Sequence, residues 1–208
     1  MTKPSLKLPN TLRFPQEDEV PANSSVMERF RQSKTANIVP GYTLQYKDDN
    51  PNNEELNFDF YTEINVDNDK LWDLFISLSH TLPENCSLIF GPIDFEVSYG
   101  KYDDKDEILD FLKTYETELT QDTFLNFGII YHDAEKLIEI FIDESKYIKY
   151  WGVDEQNFKR IMSDFGLNEI ENLEFIDEYP KVRENLNIHY PNTLGTHELI
   201  KVLKEKYL

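Results

Sequence analysis

Residues 126–152, NFGIIYHDAEKLIEIFIDESKYIKYWG, carry the strongest secondary-structure pattern in this protein. Apolar runs in it are separated by two short polar segments, HDAEK at 132–136 and DESK at 143–146. Segments of this kind supply the Asp and small polar residues that β-hairpin turns use. We therefore predict three consecutive strands, which form a meander and occupy residues 124–132, 136–143 and 146–151.

The first polar segment also contains His132, Asp133 and Glu135, the residue types of an acid–base centre. General acid–base catalysis needs a substrate proton within reach and a partner that orients the base. Neighbouring residues of a strand point to opposite faces, so the adjacency of His132 and Asp133 does not make a catalytic pair. We interpret the segment as a hairpin turn.

One face of the predicted meander mixes aromatic and charged side chains, with Tyr131, Glu139, Phe141, Lys149 and Trp151 as its candidate members. Aromatic residues at strand spacing often pack beneath a helix. Tyr and Trp are also enriched at the centres of protein interfaces. A helix-covered face and a recognition surface therefore both remain open, and Tyr131, Glu139 and Trp151 are candidate partner-binding residues.

Outside the meander, helical and strand-like patterns alternate without a regular β-α-β order. Period-2 patterns predict strands at 42–47, 56–65, 86–91 and 95–102, with a turn-rich loop at 48–55, and 3.6-residue patterns predict helices at 68–82, 103–119, 153–166 and 196–208. Asp154 suits the N-cap of the third of these helices, and Gly166 suits the position after its C-cap. The first two strands should pair as a hairpin.

This arrangement predicts the α+β class, with a mostly antiparallel sheet and helices packed on one face. Residues 1–40 contain five prolines, which block helices and sheet ladders. We predict a proline-rich extended arm at 1–40, with one short helix around 25–31, followed by a single α+β domain at 41–208.

Charge restricts the partners. Lys and Arg number 21 and Asp and Glu number 40, so the formal net charge is −19 at pH 7. Such a chain repels nucleic acid and anionic membranes, and it attracts basic proteins. The chain shows neither a signal-peptide pattern nor a long apolar window, and its single cysteine, Cys86, allows no internal disulfide. We expect a cytoplasmic protein with a basic protein partner.

Motifs for catalysis, metals and nucleotides are missing from the sequence. The four histidines do not match a zinc pattern, and no glycine-rich phosphate loop occurs. We therefore expect no cofactor and no metal, and a function other than catalysis is favoured. Two alternatives stay open: a hydrolase or transferase with a site assembled from His132, His189 and Glu139, and a structural or regulatory subunit whose arm adds a strand to a partner.

The acidic residues are clustered, with ten acids and three bases between Asp94 and Asp122. Four of these acids, Asp103, Asp106, Glu107 and Asp110, fall on the outer face of the helix predicted at 103–119. Residues 86–166 resemble immunity proteins from bacterial polymorphic-toxin systems. The resemblance rests on four features: the hairpin, the aromatic strand that ends in YW, the short helix after it and the strong acidity. The resemblance implies a non-catalytic α+β protein that neutralises a basic toxin, with these four acids placed where the toxin expects phosphates.

Overall fold

The structure, a computed structural model, describes residues 5–22, 25–47 and 56–208. In these residues the strands are β1 (Leu12–Arg13), β2 (Gly41–Tyr42), β3 (Gln45–Tyr46), β4 (Phe60–Asn65), β5 (Asn85–Pro92), β6 (Ser98–Asp104), β7 (Leu125–His132), β8 (Leu137–Ile142), β9 (Ile148–Gly152) and β10 (Val182–Arg183). The helices are α1 (Ser25–Ser33), α2 (Leu71–Ser79), α3 (Lys105–Lys113), α4 (Glu116–Gln121), α5 (Glu155–Asp164), α6 (Leu186–His189) and α7 (Thr196–Tyr207). The loop predicted at 48–55 lies outside the described residues.

Among the described residues, eight strands form one antiparallel sheet in the order β2-β4-β9-β8-β7-β5-β6, and β3 also pairs with β4. The predicted meander is confirmed as β7-β8-β9, and it lies at the centre of the sheet. β2 and β3 both pair with β4, so the predicted hairpin of the first two strands is present in two short pieces. The quoted stretch therefore forms the middle of the architecture.

A close approach of backbones fixes the register at the centre. A Cβ atom at Gly128 on β7 would lie 2.2 Å from the carbonyl oxygen of Ile140 on β8. Real side chains do not tolerate such a contact, so only glycine allows the two strands to come this near.

One face of the sheet carries the main hydrophobic core. Buried residues at alternate strand positions, among them Phe60, Phe127, Ile140 and Tyr150, belong to a single cluster with buried residues of α2, α3, α4, α5 and α7. Cys86 is fully buried in the same cluster. The predicted α+β class, with helices on one face of a mostly antiparallel sheet, is confirmed.

Both predicted ends of α5 are confirmed. The Asp154 side chain accepts a hydrogen bond of 3.0 Å from the backbone N–H of Asn157, which satisfies an otherwise free helix donor. Gly166 has a φ of +70°, the left-handed conformation that ends many helices and that glycine adopts without strain.

The helix predicted at 103–119 was wrong in its bounds. Strand β6 continues through Asp104, because Asp103 and Asp104 pair with Cys86 and Asn85 of β5. The Asp104 side chain then caps α3 by accepting from the N–H of Glu107 at 3.0 Å. The remainder of the predicted helix divides into α3 and α4.

The described part of the arm packs on the domain. β1 pairs antiparallel with β10, the N–H of Asn10 donates to Gln121, and Lys7 forms an ion pair of 2.9 Å with Asp69. Ile38 is fully buried. The short helix predicted around 25–31 is present as α1, whereas the domain boundary at residue 40 stays a prediction.

In the described part of the chain, no helix combines the length and the apolarity that a bilayer crossing requires.

Candidate partner-binding surfaces

The four acids predicted as one helical face are divided between two places. Asp106, Glu107 and Asp110 are exposed on α3, whereas Asp103 lies on β6 and is partly buried. Asp103 and Glu107 face the last turn of α7. Burial, helped by these two carboxylates, raises the pKa of Tyr207 there to about 12.

Asp106 and Asp110 are one helical turn apart and line a cleft between α2 and α3 of about 660 Å³. Its charged lining comprises the acids Asp73, Asp106, Asp110 and Glu116, together with Lys113 and His80. Apolar parts of the lining come from Trp72, Ile76 and Leu109. Among the described residues, none of the four acids has an ion-pair partner, and the four acids outnumber Lys113, so the cleft carries an excess of negative charge beside an apolar floor.

The other face of the sheet stays outside the main core, whose helical members are α2, α3, α4, α5 and α7. The register places Glu139 of β8 between Ile130 of β7 and Trp151 of β9. In the next row, Phe141 of β8 pairs with Lys149 of β9. We call this surface the open face and define it by Tyr61, Tyr99, Ile130, Glu139, Phe141, Lys149 and Trp151.

Tyr131 does not belong to the open face. It pairs with Ile138, which is buried in the main core, and so it points to the helix-covered side. Its hydroxyl donates to the Asp133 side chain at 2.6 Å. The sequence-based grouping of Tyr131 with Glu139 and Trp151 was therefore wrong, because strand alternation separates them.

Trp151 is the neighbour of Glu139 on β9, and further aromatic side chains share this face of the sheet. The rings of Trp151 and Tyr61 are 4.7 Å apart, and Tyr99 on the edge strand β6 is 57% exposed. Burial raises the pKa of Glu139 to about 7. Within the described residues, no cation and no hydrogen-bond donor contacts its carboxylate.

A charged network at the turn between β8 and β9 closes one end of the open face. Carboxylate oxygens of Asp143, Glu144 and Asp177 lie within 4.8 Å of one another, a spacing that metal ligands can have. Each of the three already accepts from a cationic side chain: Asp143 from Lys149 at 2.8 Å, Glu144 from Arg183 at 3.0 Å, and Asp177 from Lys181. The network is therefore neutralised by protein cations, and it ties the turn to the chain near β10.

The sequence did not predict this charged network. Asp143 and Glu144 belong to the predicted turn at 143–146, and Asp177, Lys181 and Arg183 fall between the helices predicted at 153–166 and 196–208. Only the tertiary fold brings the two segments together.

Residues 133–136 form the predicted turn, and His132 is the last residue of β7. Asp133 accepts from the N–H groups of Glu135 and Lys136, each at 2.8 Å, which closes the turn. The main chain of His132 contacts the Tyr102 hydroxyl, and its imidazole is exposed. His189 lies in α6 and contacts Glu184 at 2.6 Å, so the three residues of the hydrolase or transferase hypothesis have separate partners or none among the described residues.

Comparisons with protein-family models, with curated proteins and with solved structures found no match.

Proposed function

We propose that this chain is a non-catalytic, cytoplasmic protein-binding domain whose acidic cleft accepts a basic segment of a partner protein. The observation that carries the proposal is the group of four carboxylates around the cleft between α2 and α3, Asp73, Asp106, Asp110 and Glu116, which have no ion-pair partner in the described part of the chain. Negative potential concentrated in a cleft attracts cationic partners and accelerates their association.

The apolar floor supports a specific contact in addition to long-range attraction. Trp72 is 8% exposed and lines the cleft beside Ile76 and Leu109. Tight interfaces combine an apolar, often aromatic centre with a charged rim, and this cleft has both parts. Neutralisation of a basic toxin, as the resemblance to immunity proteins implies, is the form of this function that we favour.

A binding experiment on matched variants tests the proposal. The wild-type chain and the double variant Asp106→Asn/Asp110→Asn are immobilised, exposed to extract of the native cell and eluted with a salt gradient. Asp18→Asn/Glu28→Gln is the control, because both of its residues are exposed and the net charge changes equally.

We expect the wild type and the control to retain a basic protein that moderate salt releases, and the cleft variant to bind that protein at least about tenfold more weakly. Equal binding by the cleft variant and the control would show that total charge, and not the cleft, is responsible. A wild-type column that retains no basic protein would remove the proposal.

A further inference from the structure

The open face contains a carboxylate that nothing in the described part of the chain neutralises. Glu139 is partly buried, with Trp151 beside it on β9 and Ile130 beside it on β7. Phe141 is two residues further along the same strand and therefore projects from the same face. A carboxylate desolvated by apolar neighbours is costly unless a partner compensates for it.

Lys149, the cation among the residues that define the open face, is engaged elsewhere. The Lys149 ammonium contacts Asp143 at 2.8 Å and lies 5.1 Å from the centroid of the Tyr147 ring. The same ammonium lies 6.0 Å from the centroid of the Phe141 ring, so Lys149 occupies the row of Phe141 and leaves the row of Glu139 without a cation among the described residues. The raised pKa of Glu139 arises from burial alone, which agrees with a site that has no cation of its own.

We propose that Glu139 and Trp151 form a subsite on the open face for one cationic side chain, Lys or Arg, of the basic partner. This inference rests on the proposed function and adds a second contact to it. Aromatic faces attract cations through their quadrupole, and a nearby carboxylate supplies the opposite charge. Charge complementarity selects the occupant, because a cation entering here gains a carboxylate for which residues 5–22, 25–47 and 56–208 supply no competing partner.

The two tryptophans of the chain report the two surfaces separately. Trp72 lines the acidic cleft, and Trp151 lies on the open face. In ¹⁵N-labelled protein each gives its own indole N–H signal, and Trp151→Phe assigns them. The two indole signals of one labelled sample therefore report binding at both surfaces, and neither surface has to be mutated.

The probe is an amidated hexalysine peptide, with its side-chain-acetylated form as the neutral control. We expect hexalysine to shift the Trp151 signal saturably and acetylated hexalysine to leave it in place. Glu139→Gln keeps the shape and removes the charge, so it should weaken this response at least about tenfold while the Trp72 response stays. Glu135→Gln, on the exposed turn, should leave both responses unchanged.

Two outcomes would overturn the subsite. A shift of the Trp72 signal alone would leave the acidic cleft as the binding surface and remove the subsite. A Trp151 response that is equal in Glu139→Gln and the wild type would show that the aromatic face binds without the carboxylate. If hexalysine shifts neither indole signal, the result would count against the subsite and the proposed function together. A shift of the Trp151 signal without a shift of the Trp72 signal would support the subsite and argue against binding at the acidic cleft.

Discussion

The sequence predicts that a residue lies in a strand more reliably than it predicts which face of the sheet the side chain occupies. Glu139 and Tyr131 both lie in the meander, and the strand pattern places both in strands. Strand pairing determines the face of the sheet on which each side chain lies. Glu139 lies on the open face, whereas Tyr131 lies on the helix-covered side. The uncompensated charge of Glu139 follows from its neighbours on β7 and β9, which sequence distance does not reveal.

The pKa of Glu139 leads to a prediction about stability and pH. Because its folded pKa is about 7 and an unfolded Glu titrates near 4.5, the folded state binds the extra proton in between. Stability contributed by the neutral form is thus complete at low pH and is lost as the pH rises through about 7. Glu139→Gln should therefore stabilise the protein by about 1–3 kcal/mol at about pH 8 and by little at about pH 4.

Urea unfolding of both proteins at the two pH values measures this difference. Glu135→Gln, on the exposed turn, serves as the control for the loss of one carboxylate. A stabilisation by Glu139→Gln that is the same at both pH values would contradict a raised pKa of Glu139 in the folded state.

Whole elements follow the sequence where local chemistry sets their ends. Asp154 and Gly166 mark both ends of α5, because a capping carboxylate and a left-handed glycine act within one turn of chain. The start of α3 was misplaced, because Asp103 and Asp104 suit a helix N-terminus as well as a strand end. Pairing with β5 draws them into β6, and that interaction is not local.

The cap of α5 supplies the prediction at this scale. Asp154→Ala removes the acceptor of the Asn157 N–H and should lower the free energy of unfolding by about 1 kcal/mol. Asp164→Ala, at the other end of the same helix, is the control and should be neutral or slightly stabilising, since an acid near a helix C-terminus opposes the dipole. Chemical denaturation of the two variants measures both free energies of unfolding. An equal decrease in the two variants would show that the capping hydrogen bond does not stabilise the helix.

At the scale of the whole molecule, the described part of the arm behaves as part of the fold. Ile38 is fully buried with Ala36 and Tyr179, and β1 pairs with β10 from the far end of the chain. Contacts between distant segments make unfolding cooperative when they bury apolar surface. The arm should therefore unfold together with the sheet.

Ile38→Ala tests this coupling. Removal of a fully buried Ile side chain should cost about 2–4 kcal/mol of stability and leave a single urea transition. Val26→Ala, in the same arm but 41% exposed, should change stability by less than about 0.5 kcal/mol. A separate early transition in Ile38→Ala would show that the arm folds independently.

The central meander, the α+β class, the caps of α5 and the acidic character could be predicted from the sequence, because periodicity, capping and net charge are properties of short segments or simple sums. Three features could be learned only from the folded chain: which acids share a cleft, which face of the sheet stays open, and that Glu139 has no partner among the described residues. Those features depend on strand pairing and helix packing between segments far apart in the chain, where one residue of register moves a side chain from one face to the other.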